Sequence, residues 1–175
     1  MSQVKIVDYN PSHQPYFEAF NRAWIEKLFV MEPVDEWMLT NPDKAILEKG
    51  GSILMAEYNG VLAGTVALRK VNDTTYEFAK MAVSENFRRL GIAEALSYAS
   101  FEKAKSLGAT TVILYSNTLN AAAIKLYEKI GFRHLEVEPG VYERANVKMT
   151  IDVRTKFQRS DDASSEPRHE LLNTF

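Results

Sequence analysis

Apolar runs of strand length recur along the chain at 4–9, 52–58, 61–70, 75–83, 110–115 and 147–153, with a further one opening at Phe132. The runs 52–58 and 61–70 flank Asn59-Gly60, a dipeptide suited to the two left-handed residues of a tight turn, so they are expected to pair as an antiparallel hairpin. Asn72-Asp73 marks the next turn, into 75–83. Elsewhere the apolar period is that of a helix. Ile92, Ala95, Leu96 and Ala99 form one face of a helix spanning 87–107 that should stop near Gly108. Ala123, Leu126, Tyr127 and Ile130 form the face of a second, 120–130, closed by Gly131. Pro11, Ser12 and Pro15 open a helix running toward Val30; Pro33 interrupts it, a short helical piece covers 35–39, and Asn41-Pro42-Asp43 begins a segment ended by Gly50-Gly51. Antiparallel hairpins first and helical crossovers later predict an α/β fold with a mixed sheet.

At 175 residues the chain is long enough for one domain, burying roughly 70% of its unfolded surface. Residues 1–153 are read as that domain. From 154 to 175 the composition turns to Ser, Asp, Arg and Glu with little periodicity, as expected of a polar, mobile tail. The net charge of -2 gives no bulk attraction to nucleic acid or to an anionic membrane, so any anion site must be local. There is no cysteine, which excludes disulfides, thiolate metal sites and a cysteine nucleophile. His13, His134 and His169 are scattered, and no metal site is expected. The start MSQVKIVDYN has no apolar signal core and no run approaches the ~20 apolar residues of a membrane span, so a cytoplasmic location is expected.

Two segments carry candidate chemistry. In 83–93, VSENFRRLGIA, a strand breaks into a polar turn and reopens as a helix start. Arg88, Gly91 and Ala93 fall in the spacing R-x-x-G-x-A, which puts small residues where backbone N–H groups must approach an anion. The unpaired N–H groups and positive dipole end of a helix favour phosphate there. The second segment, 120–132, reads NAAAIKLYEKIGF and turns Tyr127 inward; from the residues alone Tyr127 reads as a core tyrosine whose hydroxyl needs a partner.

Together, R-x-x-G-x-A after a strand and N-x-x-A-x-x-x-Y-x-K-x-G-F further on resemble the GNAT superfamily of N-acetyltransferases, over 4–153. Ala93 stands where that family often has a second glycine. The resemblance implies a GNAT-like, mostly antiparallel sheet with one splayed parallel strand pair and helices on both faces. It implies acetyl-CoA as co-substrate, its pyrophosphate on the backbone from Arg88 through Arg89, Leu90, Gly91 and Ile92 to Ala93, its pantetheine laid as a pseudo-strand along Met81, Ala82 and Val83, and Asn120 beside it. The side chains of Arg89 and Lys129 are read as solvated charges rather than specific phosphate ligands.

Acetyl transfer to an amine needs a base and a proton for the leaving thiolate. Glu77, on the strand entering the turn, matches where some family members carry a catalytic glutamate, and Tyr127 resembles the family's thiolate-protonating tyrosine. In regular strand alternation Glu77 shares a face with Thr75, Ala79, Met81 and Val83. The acceptor would be a small amine or a peptide. Trp24, Glu26, Phe29, Glu32, Asp35 and Trp37, with Tyr142, Glu143 and Arg144, lie where this fold builds its acceptor pocket, although the plain reading of the first group is aromatics in the core and carboxylates in water. A homodimer is left open. The competing readings are a non-catalytic acyl-CoA sensor and, lacking the G-x-x-x-x-G-K-[ST] pattern, a much weaker nucleotide switch.

Overall fold

The computed structural model describes residues 3–139 and 142–155; the reading of 154–175 as a tail falls almost wholly outside them. Seven strands, β1 (Val4–Asp8), β2 (Ser52–Tyr58), β3 (Val61–Lys70), β4 (Thr75–Val83), β5 (Thr111–Ser116), β6 (Arg133–Leu135) and β7 (Val147–Asp152), form one sheet in the order β1-β2-β3-β4-β5-β7-β6. Asn59 and Gly60 take φ of 50° and 81°, the left-handed pair the hairpin demands. Every neighbouring pair is antiparallel except β4 and β5.

Strand alternation separates two cores. Leu54, Ala56, Val66, Leu68, Tyr76 and Phe78 face helices α3 (Ile92–Ser106) and α4 (Ala121–Ile130), packing on Ile92, Leu96, Phe101, Tyr127 and Ile130. The opposite residues, Ile53, Met55 and Ala67, face α1 (Gln14–Leu28) and α2 (Pro33–Thr40) through Phe17, Ile25, Met38 and Leu39. Helices thus cover both faces, as expected. On α3 the fully buried stripe runs through Ile92, Leu96, Phe101 and Ala104, while Ala95 and Ala99 sit at its margin. The helix begins at Ile92, the first residue of its apolar stripe and later than the expected start at 87, because Arg89 and Gly91 take positive φ just before it.

Two irregularities of β4 shape the space beside it. Its parallel pairing with β5 ends after Thr75↔Thr111, Tyr76↔Val112 and Glu77↔Ile113, so from Phe78 onward the strands part. Its register with β3 slips between Thr65↔Ala82 and Ala67↔Ala79, leaving Lys80 and Met81 opposite Val66, with Lys80 at φ 53°. This bulge inverts the alternation. Lys80, expected on the face of Tyr76 and Phe78, turns to the α2 side to meet Asp35; Met81 and Val83, expected beside Glu77, pack on the α3 core.

Candidate active site

Where β4 and β5 part, a narrow cavity of about 60 Å³ opens between Phe78, Ala79, Lys80 and Met81 on one strand and Leu114, Tyr115 and Ser116 on the other. It is closed by Trp24 and Phe29 from the α1 region, by Tyr127 of α4, and by Tyr142 and Arg144 of the segment before β7. On the far side of Met81 lies a wider cleft of about 540 Å³, along Met81, Ala82, Val83, Ser84 and Arg88, with Ala93, Ala123 and Leu126 opposite. The two spaces share Trp24, Met81, Asn120 and Tyr127. Glu77 lines only the first; Tyr127 lines both.

The wider cleft runs into a hollow over the turn, lined by Arg88, Arg89, Gly91, Ile92 and Ala93. Gly91 sits at φ 78°, and a Cβ built there meets nothing within 4 Å. The glycine is therefore required for its backbone conformation, and the space over it stays open for a ligand. The first N–H groups of α3 face no helical partner. Leu90 and the side chains of Arg88 and Arg89 are exposed; Lys129 pairs with Glu94 at 3.4 Å rather than standing free. Beyond Glu77, β4 has lost its neighbour, so the backbone of Met81, Ala82 and Val83 presents an unpaired edge of the kind that takes an extended ligand as an added strand. A phosphate-bearing ligand with a long amide-containing arm fits this combination. Among the described residues, no group of three or more His, Asp or Glu side chains is placed to hold a metal ion.

Tyr127 and Asn120 come together through α4. Asn120 is its N-cap residue, with no side-chain cap bond. Tyr127 is held edge-on by Phe78 and Phe132, with ring centroids 5.6 and 5.8 Å away. Burial pushes its phenol above the ordinary tyrosine range, so it stays protonated near neutrality.

Glu77, 2% exposed, lies at the narrow end of the first cavity. Arg69, its cross-strand partner on β3, donates to its carboxylate at 3.2 Å, and the Tyr142 hydroxyl donates at 3.3 Å. The same hydroxyl accepts from Lys80 Nζ at 3.4 Å, and Lys80 donates at 2.7 Å to Asp35. Asp35 is fully buried and receives both terminal nitrogens of Arg144, at 2.6 and 2.9 Å, while Arg144 also reaches Glu32 at 2.7 Å. Burial pushes Asp35 upward, but the Arg144 hydrogen bonds and the Lys80 charge overcome it and hold the carboxyl at about 2. Burial lowers Lys80 below the ordinary lysine range, against the pull of Asp35.

This corrects the expectation that the carboxylates near α2 sit in water. Asp35 is the hub of an ion network, and Glu32 is spent on Arg144. Glu26 is exposed and pairs with Arg22, and Trp37 is also exposed; neither lines the cavity. Trp24 and Phe29, whose plain reading is the core, do line it, as do Tyr142 and Arg144; Glu143 does not. Sequence reasoning missed Lys80 and Arg69. A lysine inside an apolar strand, EFAKMAV, was the available signal, since a buried ammonium needs a carboxylate partner.

The GNAT acetyltransferase family model matches residues 13–132, well over half of the chain. The chain belongs to the GNAT family. An uncharacterized N-acetyltransferase of Bacillus subtilis, YvbK, is 32% identical over 105 residues, which cover 58% of this chain and 68% of that one. The human N-acetylaspartate synthetase is 38% identical over 87 residues, covering 49% of this chain and 29% of the synthetase, so the match spans less than a third of that protein. Among solved structures, yncA of Salmonella typhimurium, described with its cofactor acetyl-CoA, has a TM-score of 0.69 at 16% identity, over 86% of this chain and 94% of that one. This GNAT member is thus an acetyl-CoA-dependent N-acetyltransferase.

Proposed function

We propose that the protein moves an acetyl group from acetyl-CoA directly to a primary amine while both are bound, with Glu77 as base and Tyr127 as proton donor. The observation that carries this reading is the meeting of two cavities at Tyr127, one lined by Glu77 and the other by the phosphate-type turn. The wider cleft suits the CoA body, with the pyrophosphate over Arg88 to Ala93, the pantetheine along the open edge of Met81 to Val83, and Asn120 beside it. The narrower cavity then receives the amine.

Acetyl-CoA supplies the thioester; the chain supplies the proton traffic. A neutral amine nitrogen forms its bond to the acetyl carbon as the carbon–sulfur bond breaks, so one proton must leave nitrogen and one must reach sulfur. Glu77 borders only the amine side and takes the first. Tyr127 borders both sides, keeps its proton near neutral pH, and gives the second. With no cysteine in the chain, no thiol is available to carry the acetyl group between two half-reactions.

Release of free thiol from acetyl-CoA in the presence of varied amines tests the reading. Tyr127→Phe should bind CoA as the wild type does and lose turnover by about 10²-fold, the usual cost of removing one donor used in the transition state. Wild-type turnover in that variant would remove Tyr127 from the chemistry, and thiol release indifferent to every amine would remove the transferase itself.

A further inference from the structure

We infer that the acceptor is an amine that also carries a carboxylate, a free amino acid, and that Arg144 is the residue that selects it. This inference rests on the assignment of the narrower cavity to the acceptor. The ionisable side chains lining that cavity include Glu77, Lys80 and Arg144; Asp35 and Glu32, bound to Lys80 and Arg144, do not line it. Asp35 and Glu32 are already committed to cations, and apart from Glu77 the charged side chains lining the space, Lys80 and Arg144, are cations.

The geometry of Arg144 makes the inference specific. A guanidinium has five N–H donors. Nη1 donates to Asp35 Oδ2 and Glu32 Oε2, and Nη2 donates to Asp35 Oδ1. The end-on fork is therefore filled by Asp35, and the outer Nη1 proton by Glu32. What remains, among the described residues, is the side-on fork formed by Nε–H and the outer Nη2–H, which matches the two oxygens of a second carboxylate. The group is also held rigidly. Its guanidinium lies 5.5 Å from the Phe29 ring centroid and 5.2 Å from that of Tyr142, and Asn117 Nδ2 donates at 2.6 Å to the Arg144 carbonyl.

The charge balance agrees. Arg69, Lys80 and Arg144 are offset by Glu32, Asp35 and Glu77, so the cluster is neutral as it stands. A dication entering it would bring uncompensated charge into a largely buried site. A zwitterionic amino acid brings one charge of each sign, the ammonium toward Glu77 and the carboxylate toward Arg144.

The test compares L-amino acids with their carboxamides and with putrescine and spermidine, following thiol release with the wild-type protein. Acids should exceed their own amides in kcat/KM by at least about tenfold, the value of a hydrogen bond to a charged group. Arg144→Lys keeps the charge but lacks the fork, so it should shrink this ratio toward one through KM for the acids, leaving CoA affinity unchanged. A wild-type ratio near one, or a polyamine as the best acceptor, would overturn the inference while leaving the transferase intact. Should no amine release thiol, calorimetry with the CoA-bound protein still decides: binding of acids in preference to amides supports the carboxylate site, and equal or absent binding of both defeats it.

Discussion

Glu77→Gln should lower kcat near pH 7 by about 10²- to 10⁴-fold, the range carried by a positioned general base. Glutamine keeps the shape of the side chain and can still accept from Arg69 and Tyr142, but it cannot take a proton from an amine. The loss should therefore depend on pH. As the pH approaches the pKa of the acceptor amine, about 8 for a peptide's terminal α-amino group, higher for the α-amino group of a free amino acid and about 10.4 for a lysine-like one, more acceptor arrives already neutral and part of the activity returns. Initial rates from pH 6 to 10, with CoA affinity and melting temperature measured alongside, separate this from damage caused by leaving Arg69 unpaired. If wild type and variant trace parallel pH profiles, Glu77 is not the base.

Asp35→Ala should destabilise the fold by about 3–5 kcal/mol, the cost of breaking a buried ion pair by removing one partner. The carboxylate is fully buried and accepts from Lys80, which is itself buried, and from both terminal nitrogens of Arg144. Its removal leaves two cations facing each other across a void. Denaturant unfolding at neutral pH measures the loss, and a change below about 1 kcal/mol would mean that water or Glu32 takes over the role of Asp35. The same group gives a pH signature. Its folded pKa of about 2 lies below the ordinary 3.8, so its stabilisation is complete above 3.8 and is lost as the pH falls from there toward 2. That acid limb should be shallower in the variant, where Asp152, Glu36 and Glu138, also held below their ordinary range, still contribute.

Much of the frame is written locally. The hairpin of β2 and β3 rests on Asn59-Gly60, both ends of β4 lie where its apolar run begins and stops, and α4 starts after Asn120 and closes at Gly131, which takes φ 111°. The wider cleft is legible for the same reason: a strand, a turn with a left-handed glycine and a helix start are consecutive in sequence. The narrower cavity is not. Lys80 and Asp35 are 45 residues apart and Arg144 is 109 residues from Asp35, so no periodicity links them. The bulge at Lys80 is equally silent, because one extra residue changes which face every later side chain occupies without altering which residues are apolar.

The order of the sheet also dictates when the site can exist during synthesis. β7, the last described strand to leave the ribosome, lies in the interior of the sheet between β5 and β6. The hairpins of β2, β3 and β4 and the turn into α3 are neighbours in the chain and can assemble as soon as they emerge. Tyr142 and Arg144 reach their places only when the segment leading into β7 does, so the narrower cavity is completed after the rest of its lining and the whole of the wider cleft have been translated.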